Sequence, residues 1–288
     1  MFFSIIIPTY NRADFLDRCL DSLTRQSFKD FEVLICDDGS TDDSRVVAEA
    51  YTDRLNLHYL WDENWGGPAH PRNRGIAKAC GEWICFLDSD DWWTEDKLQE
   101  CFLRLNNADL LYHDMYIVRG SKHKLGQRKR LKGRNLRNRA FEDMLLNGNP
   151  IINSSVVIRR ELIDRVGLIS EDRELIAVED FDYWLRIARM GARFKYVPKA
   201  LGYYWLGGGN VSVGIKQFWR VSALMNKQCI GCDSHLVKRI WGRVRFTQGR
   251  ILHLSGFPQR ARTFYRAAFL SRIGLKAIAC YWTSFRKH

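Results

Sequence analysis

The sequence predicts an α/β protein: a mostly parallel sheet flanked by helices, followed by a basic helical C-terminal extension. Three observations predict it. Apolar runs of strand length alternate with helical patterns through the first hundred residues, as in a doubly wound sheet. Polar clusters close three of those runs, at Pro8-Thr9-Tyr10-Asn11, Asp37-Asp38-Gly39-Ser40 and Asp88-Ser89-Asp90-Asp91. In such sheets ligands bind beyond the carboxyl ends of the strands, so three clusters on one edge describe a site. Third, the charge is split along the chain. Residues 216–288 hold 15 Lys and Arg against one acid, Asp233, while residues 1–215 hold 30 Lys and Arg against 32 Asp and Glu.

The elements follow in order. Residues 4–7 read as a buried first strand. Residues 14–25 read as a helix with Phe15, Cys19, Leu20 and Leu23 at helical spacing. A strand over 31–36 precedes a helix over 42–51, capped near Thr41. A short strand covers 57–61, a helix 71–80 is closed by Gly81, and a strand covers 83–87. Further on come a strand at 110–118, a basic loop or hairpin at 119–139, a short helix at 141–147 and a strand at 154–158. A helix over 179–190 buries Phe181, Trp184, Leu185 and Ala188 and is closed by Gly191, with Trp184 read as core. A strand at 194–197 and a flexible Gly207-Gly208-Gly209 joint lead to a helical region with eleven aromatics among its basic residues. The expected divisions are 1–91, 92–215 and 216–288.

At 288 residues the chain can bury a sizeable core. No run of 18 apolar residues predicts a transmembrane helix, and Phe2 to Ile7 is too short and lacks the basic leader of a signal peptide. The eight cysteines are therefore expected to be reduced, and Cys229-Ile230-Gly231-Cys232 has no second pair at zinc spacing. Net charge is +12, and residues 119–139 add ten Lys and Arg with no acid. An anionic partner is expected: a membrane surface, a phosphorylated lipid or a nucleic acid.

The sharpest chemical feature is Trp83-Ile84-Cys85-Phe86-Leu87-Asp88-Ser89-Asp90-Asp91. Two carboxylates two residues apart at a strand end are well placed for a hard divalent cation, whose remaining ligands are usually substrate phosphates. The plainer alternative is an acidic helix N-terminus, since Thr94-Glu95-Asp96 follows.

Taken together, these motifs resemble the inverting glycosyltransferases of family two, which share the Rossmann-like GT-A fold. The resemblance covers about residues 3–215 and adds Gly66-Gly67-Pro68, Pro71-Arg72-Asn73-Arg74-Gly75-Ile76 and Val178-Glu179-Asp180-Phe181-Asp182-Tyr183-Trp184 to the clusters above. It implies a UDP-sugar donor and a glycan or polyprenyl-linked acceptor, in the making of a bacterial surface polysaccharide or glycoconjugate. Pro8, Thr9, Tyr10 and Asn11 would shape the pyrimidine pocket, and Asp38 would accept the uracil N3–H. Arg72 would reach the diphosphate. Asp88 and Ser89 would lie near the nucleotide. Asp90, helped by Asp88, would hold Mn²⁺ or Mg²⁺. Asp180 would be the general base, with Glu179 the runner-up. Asn153, Ser154 and Ser155 are candidates for the sugar pocket. Relatives often carry a His where this chain has Leu206-Gly207-Gly208-Gly209-Asn210, which leaves two readings open: the metal would rely on Asp90 and phosphate oxygens alone, or the glycines would let the loop fold over bound donor.

Each assignment has a structural counterpart: a strand-to-helix turn for Pro8–Asn11, a turn or cap for Asp38, a solvated helix face for Arg72, and helix capping for Asp91, Glu179 and Asp180. Residues 259–277 read as an amphipathic helix in a membrane interface, or as a helix packing its aromatics on the core with its basic face solvated. The protein is accordingly expected in the cytoplasm, peripheral on the inner face of the cytoplasmic membrane, with a homodimer left open. Two competitors remain. A nucleic-acid-binding protein leaves the clustered acids unexplained. A sugar-nucleotide nucleotidyltransferase would open with a glycine-rich loop, which Pro8–Asn11 is not.

Overall fold

The computed structural model describes residues 1–119, 129–207 and 216–271. Within it the chain forms two compact units. The first comprises Met1–Ala140, Pro150–Glu171 and Arg186–Gly209; the second comprises Phe141–Asn149, Asp172–Leu185 and Asn210–His288. These units are drawn differently from the sequence divisions at residues 91 and 215. The reason is strand pairing, which joins segments from both sides of residue 91 into one sheet.

Among the described residues that sheet has nine strands: β1 (Phe3–Thr9), β2 (Phe31–Asp37), β3 (Leu57–Trp61), β4 (Trp83–Phe86), β5 (Trp92–Trp93), β6 (Leu110–Val118), β7 (Arg130–Leu131), β8 (Val157–Arg159) and β9 (Phe194–Trp205). The order is β3-β2-β1-β4-β8-β6-β9-β5, with β7 on β6. Strands β3, β2, β1 and β4 are parallel, as are β6 and β9; β8 runs antiparallel between β4 and β6. Strands β1, β2 and β4 are buried along almost their whole length, which is what continuous Ile, Val, Cys and Phe runs require when helices cover both faces.

The helices of this unit are α1 (Ala13–Thr24), α2 (Ser44–Glu49), α3 (Ala69–Lys78), α4 (Lys97–Phe102) and α6 (Arg160–Val166). Helix α1 buries Leu16, Cys19, Leu20 and Leu23; Phe15, expected on that face, is only half-buried and meets Arg12, Arg18 and Trp205 instead. Helix α3 lies directly on β1 and β2. A Cβ at Gly75 would stand 2.6 Å from Ile6 Cγ2 and 2.7 Å from Cys36 Sγ, so only glycine permits this approach.

Several boundaries differ from the sequence reading. Helix α3 begins at Ala69, with Pro71 in the first turn, where no N–H is needed. Gly81 does not close it; the chain is already extended at Ala79, and Gly81 lies against β1, its N–H donating to Ser4 Oγ (2.7 Å). Helix α2 is shorter than expected, and Asp42 serves its start by accepting from Ser44 N and Oγ (3.0 and 2.6 Å). Residues 153–155 form a 3₁₀ turn before β8, because Ser155 Oγ turns back on Ile152 O (2.6 Å) and competes with the ladder. Strand β9 runs well past Val197: the register jumps from His113↔Val197 to Asp114↔Ala200, and that bulge absorbs Pro198. Helix α6, closed by Gly167 at φ +81°, had no counterpart in the sequence reading.

The second unit contains α5 (Ala140–Asn147), the first half of α7 (Glu179–Arg189), α8 (Lys216–Gln228), α9 (Ser234–Leu254) and α10 (Pro258–Leu270). Helices α9 and α10 enclose a small core of Phe246, Leu252, Ala261, Tyr265 and Ala268, with Phe218 and Phe264 against it. Phe264 and Tyr265 therefore pack inward, while Phe257, Phe269 and Leu270 are exposed. Of the residues expected in one amphipathic helix, 272–277 lie outside the described residues, as does most of the glycine joint. Among the described residues Cys19, Cys36, Cys80, Cys85, Cys101 and Cys232 are free thiols, and no helix is long and apolar enough to cross a membrane.

Candidate active site

The carboxyl ends of β1, β2 and β4 lie side by side in one sheet, so their terminal loops meet. At the end of β1, Thr9 is buried and Tyr10 is 48% exposed. Asn11 adopts φ +49°, a conformation Asn tolerates. Its N–H donates to Ser40 Oγ (2.9 Å) and its Oδ1 accepts from Thr41 N (2.8 Å). The first two clusters are thus tied together, with the Tyr10 ring left accessible.

At the end of β2, Asp37 is fully buried, accepting from Ser40 N (2.8 Å) and from the Tyr59 hydroxyl. Asp38 is 3% exposed. Its Oδ1 accepts from Trp65 N (2.9 Å) and its Oδ2 from Gly66 N (3.0 Å), while Asn64 Nδ2 donates to the Asp38 carbonyl (2.8 Å). A carboxylate has about four acceptor sites, so these bonds fix its orientation without exhausting it. Asn64 and Trp65 are parts of this edge to which the sequence reading gave no role; Gly66, which opens the Gly66-Gly67-Pro68 motif, is held at φ +91°.

The end of β4 carries the charge. Asp88 Oδ1 accepts from Arg72 Nη2 (2.7 Å) and Asn153 Nδ2 (3.0 Å), and Asp88 N donates to Ser154 Oγ (3.1 Å). Arg72, from α3, is 4% exposed and is buried in an ion pair with the half-buried Asp88, not on a solvated helix face. Asn153 reaches the cluster; Ser154 and Ser155 are fully buried, and Trp93 Nε1 locks Ser154 through its carbonyl (2.8 Å). Ser89 is also buried. Asp91 does not cap a helix. It is 1% exposed, and its Oδ1 accepts from Trp205 N (2.8 Å), tying the acidic loop to the end of β9.

The electrostatics follow from the crowding. Burial, and then the charge of Asp88, push the Asp90 carboxyl up to about 6. Burial, and then Asp90 and Asp88, push Asp91 well above the usual carboxylate range. The nearby charges of Arg12 and then Arg18 partly offset this at Asp90, and Arg18 Nη2 also donates to the Asp90 carbonyl (2.9 Å). Buried like charges of this kind are relieved by a cation, and the donors present are hard oxygens that suit Mg²⁺ or Mn²⁺. Among the described residues no three His, Cys, Asp or Glu side chains are arranged to hold a metal ion by themselves. The carboxylate oxygens of Asp90 and Asp88 are of the kind that would suit such a cation.

Glu179 and Asp180 belong to the second unit. They open α7, where Asp180 Oδ1 accepts from Phe181 N (2.6 Å). Glu179 is 4% exposed, whereas Asp180 is half-buried and the more accessible of the two. Asp182 is held by Gln228 Nε2 of α8 (2.8 Å), which braces the same turn. Trp184 is core, at 1% exposure.

Comparison with known proteins gives the family and the fold. A sequence model described as Glycosyl transferase family 2 matches residues 4–167. The amylovoran biosynthesis glycosyltransferase AmsB of Erwinia amylovora is 29% identical over 210 residues, covering 70% of this chain and 69% of that protein. The poly(ribitol-phosphate) beta-N-acetylglucosaminyltransferase TarS of Staphylococcus aureus is 39% identical over 125 residues, which is 42% of this chain and 22% of TarS. Among solved structures, S. aureus TarS 1–349 in complex with UDP-GlcNAc superposes with a TM-score of 0.67 at 22% identity, covering 99% of this chain and 90% of that one. The mannosyltransferase PcManGT of Pyrobaculum calidifontis, in complex with GDP-Man and Mn²⁺, gives 0.64 at 21% identity, covering 99% and 79%. At those identities the two structures speak to the fold, which is GT-A.

Proposed function

The chain belongs to glycosyl transferase family 2, and from that premise we propose that it moves a sugar from a UDP-sugar to a hydroxyl of a glycan or lipid-linked oligosaccharide, with inversion, in bacterial surface-polysaccharide or glycoconjugate biosynthesis. That it is a glycosyltransferase of the family-2 type follows from the family itself. The observation that carries the finer reading is the acidic end of β4, where Asp88 is gripped by Arg72 and Asn153 beside a half-buried, charge-crowded Asp90.

Tyr10 packs against the base and Asp38 accepts its N–H, with Pro8, Thr9 and Asn11 shaping the turn around them. Arg72 and Ser89 lie by the diphosphate. Asp90 and Asp88 would hold Mn²⁺ or Mg²⁺, which when bound supplies positive charge to the departing diphosphate. Asp180 takes the proton of the acceptor hydroxyl; the hydroxyl oxygen bonds to the anomeric carbon on the face opposite UDP, and the bond to UDP breaks. The exposed cations of α9 and α10 support a peripheral seat on the anionic inner face of the cytoplasmic membrane.

Calorimetric titration tests the donor reading: UDP, UDP-glucose, UDP-N-acetylglucosamine, UDP-galactose and GDP-mannose, each with and without Mn²⁺. Metal-dependent binding of uridine nucleotides in preference to GDP-mannose is expected. Preference for GDP-mannose would overturn the uridine assignment, and no binding by any nucleotide would overturn the donor site.

A further inference from the structure

One strongly charged segment has no part in the chemistry above. Between Lys129 and Arg139 the chain carries six Lys and Arg and no acid. Lys129, Arg130 and Lys132 are exposed. The Arg130 guanidinium carbon stands 5.7 Å from the Tyr116 ring centroid, and none of these three side chains has a carboxylate at ion-pair distance among the described residues.

The backbone beneath them is firmly built. Residues Arg130 and Leu131 pair with Tyr116 and Met115 as β7 on β6. Ile117 N donates to Lys129 O (2.7 Å), Gly133 N to Asp114 Oδ1 (2.9 Å), and the Tyr112 hydroxyl to Arg134 O. Asp114 is 2% exposed, and its Oδ1 also accepts from the Tyr196 hydroxyl (2.6 Å). That carboxylate thus anchors the strip's backbone and leaves its cations to solvent. A loop that merely carried charge for solubility would need none of these ties.

Position adds the direction. Strand β8 pairs with β6 at Leu110 and Leu111, and β7 takes up pairing further along β6, toward the carboxyl ends of β1 and β4. Gly133 is pressed into the chain there: a Cβ would lie 2.8 Å from Tyr196 Cε2 and 3.2 Å from Pro150 O. Pro150 stands three residues before Asn153, whose side chain holds Asp88. A fixed row of cations therefore borders the segment that lines the acidic edge.

We propose that the strip of Lys129, Arg130 and Lys132 receives phosphate groups of the acceptor, so that the acceptor is a phosphate-bearing glycan or glycolipid. This rests on the glycosyltransferase reading of the adjoining edge. The phosphate has two sources: phosphodiesters along an acceptor chain, or the diphosphate of an isoprenoid carrier.

The test uses the full chain with saturating UDP, so that the donor site does not take up the probes. A soluble poly(glycerol phosphate) oligomer, geranyl diphosphate and neutral dextran are titrated into the wild type, into Lys129→Ser/Arg130→Ser/Lys132→Ser, and into the charge-preserving Lys129→Arg/Lys132→Arg. Each cation beside an anionic surface is worth about fivefold in affinity, so the triple variant should bind on the order of a hundredfold more weakly. The arginine variant should bind as the wild type does, and rising salt should weaken both. Loss on the polymer assigns the phosphates to the acceptor chain; loss on geranyl diphosphate alone assigns them to the carrier. Equal affinities of wild type and triple variant for both phosphates, or no phosphate binding by the wild type, would overturn the proposal. UDP affinity is measured separately on each protein: its absence would sink the donor reading while leaving the phosphate result to stand or fall by itself.

Discussion

Asp90 has its backbone carbonyl held by Arg18, a residue outside every motif. The Arg18 guanidinium lies 3.7 Å from the Trp92 ring centroid and 5.0 Å from that of Trp205, and burial lowers its pKa. It works as a strut between α1 and the acidic loop. Arg18→Ala should cost about 2–3 kcal/mol, because it removes a charged hydrogen bond and a cation–π interaction at once, and should weaken UDP binding. Arg18→Lys should recover only part, because an ammonium lacks the planar fork. Urea unfolding and nucleotide titration on both variants read this; an unchanged UDP affinity in Arg18→Ala would remove the strut. The proposed base gives a contrasting expectation. Asp180→Asn should bind donor normally and lose transfer by about 10²–10⁴-fold, the typical contribution of a general base. Glu179→Gln should lose far less, since Glu179 is nearly inaccessible; full activity in Asp180→Asn would move the base elsewhere. The sequence made the carboxylates legible because acids at a strand end are chemically conspicuous. Arg18 and Asn64 were not legible, because their importance lies in partners 72 and 26 residues away along the chain.

Elements were legible where one physical signal dominated. Continuous apolar runs marked β1, β2 and β6 nearly to the residue, since a strand buried on both faces admits little else, and β3 was placed as well although it is only partly buried. Boundaries went astray where tertiary contacts overruled local preference. Gly81 read as a helix terminator, yet its glycine serves a close approach to β1, where a Cβ would be 2.6 Å from Ser4 N. Residues 154–158 read as a strand, yet Ser155 satisfied its own hydroxyl locally and β8 started later. Strand β9 looked short because Pro198 interrupts its pattern, and only the bulge against β6 explains its tolerance. Capping is the local rule that held in the tail. Asp233, the single acid of residues 216–288, caps α9 by accepting from Leu236 N (2.9 Å). Asp233→Ala should therefore destabilise the helical unit by about 1 kcal/mol. The measurement is thermal unfolding of the full chain; a variant as stable as the wild type would mean the other donors of that first turn find water at no cost.

For the molecule as a whole, the division of charge coincides with the division into units only in part, and that changes how the membrane reading must be tested. Deleting residues 216–288 looks like the direct experiment. Yet the second unit also contains Phe141–Asn149 and Asp172–Leu185, and α8 holds the latter segment through Gln228 on Asp182, Gln217 on Ala177 O and Lys227 on Asp172. Truncation would loosen the turn bearing Asp180 and confound loss of anchoring with loss of catalysis. Surface substitution avoids this. Lys238, Arg239, Arg250 and Arg266 are exposed on α9 and α10 and lie outside the small core. Changing the four to Ser should weaken binding to phosphatidylglycerol vesicles by up to about 4 kcal/mol at low salt, at roughly 1 kcal/mol per cation, and the deficit should shrink as salt screens the wild type. Transfer to a soluble acceptor should persist in the variant, since Asp180 keeps its braces. Vesicle sedimentation across a salt series reads the first effect and product formation the second. Unchanged sedimentation would show that these four cations do not seat the protein and that the anchor lies elsewhere, with the basic residues of 119–139 the next to be changed.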